Sequence, residues 1–130
     1  MAMVSTVAAV LSVTIVNVAI PDIMGTFGLD QVGAQWLSTG YLAAMTSTML
    51  LLDFCIKAFG QRATMVVMLA AFFCGALLGG LATSSEMMTL ARLIQGAASG
   101  LIQPMGMIAV YQVFPPDRRG TAMGIYGVGV

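Results

Sequence analysis

The chain has 130 residues, 59% of them hydrophobic and only 8% charged, with five basic and five acidic side chains, no histidine and a net charge of zero. A soluble domain carries about 25% charged residues to keep its surface wet, so this chain must turn much of its surface to lipid. Zero net charge argues against a nucleic-acid partner, and the absence of histidine, with only Cys55 and Cys74 in separate apolar segments, leaves no ligand set for a metal and no disulfide framework.

A membrane-spanning helix needs about 20 residues, so a chain of this length holds four or five spans with short loops. Residues 3–20, MVSTVAAVLSVTIVNVAI, are uncharged and end at Pro21-Asp22. They read as a retained span rather than a secretory signal, because the start MAMVST has no Lys or Arg. Residues 22–35 read as a loop, interrupted by Asp22, Gly25, Gly28, Asp30 and Gly33. Trp36 stands where an indole suits the interface, and a second span is predicted over 36–56, containing Tyr41 and, near its end, Asp53. KAFGQR, residues 57–62, is a short basic turn, and Asp53 and Lys57, four apart at a helix end, suit a local ion pair. A third span follows over 63–83. Ser84 or Ser85 suits a helix cap with Glu86 in the first turn, and opens a fourth span over 87–114. Pro115, Pro116, Asp117, Arg118 and Arg119 stop that span, and an incomplete fifth begins at 119.

Lys57 and Arg62 lie in the second loop, and Arg118 and Arg119 in the fourth, whereas the first and third loops hold only acidic residues. By the positive-inside rule the second and fourth loops and the N-terminus are cytoplasmic.

Arg92 is the basic residue left over, inside the fourth span. It lies about one and a half turns from Glu86 and could snorkel to the outer interface. Its helical face speaks for another role. At about 100° per residue, Arg92, Gly96, Ser99, Gln103 and Gly106 share a narrow stripe with Gln95 on its shoulder, running for about 21 Å. A polar stripe of that length should face the bundle interior or a wet cavity. Gly96 and Gly100 also form a small-xxx-small pair that suits helix packing, and Pro104 should bend the helix. Asn17, an amide inside the first span, suits interhelical bonding as well as substrate contact. Twelve methionines suit a cavity that repacks around unlike molecules, or serve simply as apolar membrane residues.

RLIQG, residues 92–96, resembles the Arg-x-x-Gln-Gly motif in the fourth helix of major facilitator superfamily transporters. GLIQPMGMIAVYQVFPPDRRGTAMGIYGVGV is similar to the same region of the fourteen-helix drug:proton antiporter branch. LSVTIVNVAIP, residues 11–21, resembles that branch's first-helix motif, and WLSTGYLAAM the start of its second helix. The resemblance implies an all-α membrane protein, with four transmembrane helices and the start of a fifth from a six-helix N-terminal bundle. It implies secondary export of hydrophobic or drug-like compounds coupled to proton entry, in a prokaryotic inner membrane, with no cofactor. Lipid, a small hydrophobic substrate and protons would be its partners, together with further C-terminal helices that complete the bundle. Arg92, Gln95 and Gly96 would then serve proton coupling. Asn17 and Pro21 would shape the central path, Ser99 and Gln103 lie on the same interior stripe, and Asp53, Lys57, Gly60 and Arg62 would form the cytoplasmic gating loop.

Three departures stand out. Ser12 occupies a position where the first-helix motif usually has aspartate. In the second loop Lys57 replaces an aspartate, and Asp53 the first glycine. GVGV ends the chain where a Gly-Pro-rich fifth-helix motif would follow, so an N-terminal portion is expected. Proton transfer needs a group that titrates, and a guanidinium does not, so the proton carrier is expected outside Arg92. The competing readings are a four-helix membrane interaction or assembly protein that transports nothing, and an inactive gene remnant. A self-contained four-helix exporter would need a carboxylate in the first span, and residues 3–20 contain none. An enzyme is the weakest reading, since no nucleophile–base pair can be assembled without histidine.

Overall fold

The structure, a computed structural model, describes residues 2–128, which form helices α1 (Ala2–Phe27), α2 (Gln31–Met49), α3 (Leu52–Phe59), α4 (Gln61–Gly80), α5 (Ser85–Val113) and α6 (Arg119–Val128), with a 3-10 turn at Pro116–Arg118. The chain is an all-α membrane protein. By length and composition α1, α4 and α5 can each cross a bilayer, and α2 and α3 taken together have the length and composition for a fourth crossing, bent by 56° at the break between them. Large apolar side chains such as Ile15, Val18, Phe54, Val66, Phe73 and Leu81 lie exposed along the outside, as a lipid-facing surface requires.

The first helix continues past the expected stop at Pro21. A proline removes one backbone donor, here the partner of the Asn17 carbonyl, and a long apolar helix tolerates that loss. The loop expected over 22–35 shrinks accordingly to Gly28–Asp30. Gly28 has φ +62°, and the Leu29 N–H donates to the Met24 carbonyl at 3.1 Å, so the helix ends in a left-handed glycine cap. Two residues on, the Asp30 carboxylate accepts from the Gly33 N–H at 2.7 Å and caps α2.

The second span is not one helix over 36–56; it breaks at Leu50–Leu51. No proline or glycine causes this. In the turns before the break the hydroxyls of Thr46 and Thr48 donate back to the carbonyls of Leu42 and Ala44 at 2.9 and 2.8 Å, as the Thr14 hydroxyl does to the Val10 carbonyl in the unbroken α1. The basic turn expected over 57–62 contracts to Gly60, whose φ of +79° and ψ of 153° only glycine adopts readily. Ser84 caps α5 by accepting from the Met87 N–H at 3.2 Å. α5 runs unbroken through Pro104 to Val113, and Arg119 then folds back, donating to the Phe114 carbonyl at 3.2 Å and lying over the Tyr111 ring at 5.4 Å.

The core sits around α5, which packs against α2, α4 and α1. Gly96 and Gly100 let α2 come to backbone contact: a methyl on either would overlap the carbonyl oxygen of Tyr41 or Met45. On the other side Gly75 of α4 sits against α5, where a methyl would stand 2.8 Å from Gln95 Cγ. Cys74 is exposed on α4, and Cys55 is half-buried. An apolar thiol has no reason to avoid a lipid-facing surface.

Candidate functional site

Arg92 is placed by its own helix. It follows the capped first turn of α5 by under two turns, and the glycines beside it bring α2 close enough to cover it. Only 3% of the residue is exposed. Both protons of Nη1 are used, one on Ser12 Oγ of α1 at 3.1 Å and one on Gln95 Oε1 at 2.7 Å. The guanidinium carbon lies 4.7 Å from the centroid of the Tyr41 ring, within cation–π range. The Tyr41 hydroxyl donates to Ser99 Oγ at 2.7 Å, one layer deeper along α5. Three helices thus supply one polar cluster, Ser12–Arg92–Gln95–Tyr41–Ser99, with apolar packing around it. Every hydrogen-bonding partner of the cation is neutral, and Nε is buried without a hydrogen bond.

A second cluster lies further along the same stripe. Gly106 leaves room for Thr6 Oγ1 and the Tyr126 hydroxyl, which are hydrogen-bonded at 3.0 Å, and that hydroxyl also donates to the Gln103 carbonyl at 3.0 Å. Gln103 joins this cluster through its backbone, and its side chain is half-buried.

Asn17 and Pro21 stand apart from both clusters. They are exposed on α1, where Asn17 Oδ1 accepts from the Ser38 hydroxyl of α2 at 3.2 Å, a helix–helix link. Asp53 and Lys57 lie on α3, with Gly60 at the α3–α4 turn and Arg62 in the first turn of α4, at the end of the bundle where α5 finishes. There Gln61 and Arg62 share a cleft of about 910 Å3 with Met105, Gln112 and Phe114. Asp53 and Lys57 form an exposed ion pair at 2.6 Å. Among the described residues no group of three or more His, Cys, Asp or Glu side chains could hold a metal.

Sequence reasoning passed over Tyr41 as a site residue and marked Ser12 only as a departure from a motif. A phenol and a hydroxyl inside apolar spans were the available signal, because both need partners in lipid. Which helix supplies the partner is decided by packing, and spacing along one helix does not carry that information.

The Major Facilitator Superfamily matches residues 2–130. The chain belongs to that family. It is similar to the uncharacterised MFS-type transporter YhcA of Bacillus subtilis strain 168, 38% identical over 122 residues that cover 94% of this chain and 23% of that protein. The puromycin resistance protein pur8 of Streptomyces alboniger is 34% identical over 91% of this chain and 24% of its own length. The multidrug export protein EmrB of Haemophilus influenzae is 31% identical over 93% of this chain and 24% of its own length. The chain therefore spans about a quarter of the length of the curated relatives it matches. Membership of the Major Facilitator Superfamily makes this a membrane protein of a transporter family and points to transport rather than enzymatic chemistry.

Proposed function

We propose that the chain supplies part of an N-terminal six-helix bundle in an exporter of small hydrophobic compounds, driven by proton entry across a prokaryotic inner membrane, with its N-terminus in the cytoplasm. Further helices beyond these 130 residues would complete the path. The observation that carries this reading is the buried Arg92, held by neutral partners from three helices, in a chain similar to proteins named for multidrug export and puromycin resistance.

A fixed cation among neutral partners has a physical consequence for transport. Arg92 does not release a proton, so it acts through its field on any carboxylate that approaches, favouring the ionised form and opposing proton uptake there. When the bundle rocks and that carboxylate moves away, the proton binds more readily. Gln95 orients the guanidinium, and Gly96 keeps Tyr41 over it. Ser99 and Gln103 continue the polar stripe as the lining of the path, and Asn17 and Pro21 shape α1 beside it. At the other end the Gly60 turn, with Arg62 and the Asp53–Lys57 pair, acts as the cytoplasmic gating loop.

The test is dye transport in everted membrane vesicles expressing the gene that encodes this chain. An imposed proton gradient should drive dye accumulation, a protonophore should abolish it, and Arg92→Ala should reduce it by roughly tenfold or more, the loss of one strong charge interaction. Dye movement indifferent to the gradient would remove proton coupling. No dye movement above empty vesicles would remove export.

A further inference from the structure

Arg92 is a cation with no anion beside it. Among the described residues the only ion pair is Asp53–Lys57, at the other end of the bundle, so none of the chain's five carboxylates neutralises the guanidinium. Its hydrogen bonds go to a hydroxyl and an amide, and the Nε–H is spent on nothing. A buried charge left in this state is costly, and an approaching oxyanion would meet both the missing counter-charge and the missing acceptor.

The surroundings define what that oxyanion would be attached to. Arg92, Ser12 and Gln95 line a cleft of about 450 Å3 between α1, α4 and α5. Its other walls are apolar, including Leu11, Ile15 and Ile23 of α1, Phe72 and Ala76 of α4, and Met88 of α5. A single buried cation at one point of an apolar cleft matches an amphiphile with one anionic head and a hydrocarbon or aromatic body. A guanidinium edge suits a carboxylate or sulfonate, whose two oxygens can take parallel N–H donors.

We propose that this cleft is a binding site for amphiphilic organic anions, with the head accepting from Arg92 Nε–H and the body lying between α1 and α4. As a substrate class this rests on the export reading above; as a binding site it does not.

The full chain in nanodiscs of zwitterionic phosphatidylcholine tests it, with decanesulfonate as the probe because it stays ionised. Decanol and decyltrimethylammonium serve as the neutral and cationic probes of equal chain length. The readout is the Arg92 Nε–H resonance in a 15N-arginine sample, together with the apparent affinity. Decanesulfonate should move that resonance and bind about tenfold or more tightly than decanol, the value of one charge-assisted hydrogen bond. Ser12→Asp should abolish that preference by placing a carboxylate beside Nη1, and Arg92→Gln should abolish it by removing the cation. Should Arg92→Gln fail to fold, the Ser12→Asp variant decides the matter alone. Equal binding of decanesulfonate and decanol, or an unmoved resonance, would overturn the site. Sodium chloride moving the resonance and displacing the sulfonate would show a small inorganic-anion site and overturn the amphiphile. Vesicle export that fails while the resonance shift persists would remove the export reading and leave the site standing.

Discussion

Two polar groups in this molecule each join residues one turn apart on a single helix, and they have different physical standing. Asp53 and Lys57 sit four apart on the exposed α3 and satisfy each other. Arg92 and Gln95 sit three apart inside the bundle and need α1 and α2 to complete their surroundings. In water-accessible places an ion pair competes with solvent and stabilises little. Inside the bundle each donor must find an acceptor in protein, so every contact matters and each absent one points to a partner. The difference teaches that charge count says little here, and that helix-to-helix approach decides which polar residues act together.

The largest effect should come from the approach itself. Gly100→Leu would drive a side chain into the backbone of Met45 and separate α2 from α5, removing the cover over the Arg92 cluster. A loss above about 3 kcal/mol in a detergent unfolding titration is expected, at the upper end of overpacking penalties. A loss below 1 kcal/mol, roughly what a loose contact would give, would break the close-packed account. Gly60→Ala sharpens the view of the exposed turn, where backbone geometry should matter more than charge. With φ at +79°, about 2 kcal/mol of destabilisation is expected in the same titration.

Tyr41→Phe keeps the ring over Arg92 and removes only the hydroxyl bonded to Ser99. About 1 kcal/mol is expected, the usual size of an interhelical hydrogen bond in a membrane. Lys57→Ala should change stability by less than about 0.5 kcal/mol, because its pair is exposed. A Lys57 effect larger than that of Tyr41 would reverse the comparison.

Much of this was legible in the sequence for reasons that stay within one helix. The apolar runs marked the spans, and the stripe from Arg92 to Gly106 marked the inner face of α5, because helical periodicity is fixed. The Asp53–Lys57 pair followed from its spacing, and Ser84 from cap chemistry. The continuation of α1 through Pro21 to Phe27 was hidden because the usual stop signals, proline, aspartate and glycine, are tolerated in a long apolar helix. The break at Leu50–Leu51 was hidden because no proline or glycine marks it in the sequence. The meeting of Arg92 with Ser12 and Tyr41 joins residues 80 and 51 positions away, and only tertiary packing determines it.

The central claim is that Arg92 is held inside the bundle under Tyr41 instead of snorkelling to the membrane surface. Solid-state NMR of the chain in phospholipid bilayers tests it directly, by measuring dipolar couplings from the Arg92 guanidinium to the Tyr41 ring and to lipid phosphorus. A strong coupling to the ring, fitting the separation of 4.7 Å from guanidinium carbon to ring centroid, and none to phosphorus is the expected result. Coupling to phosphorus without coupling to Tyr41 would place the cation at the interface and contradict the account.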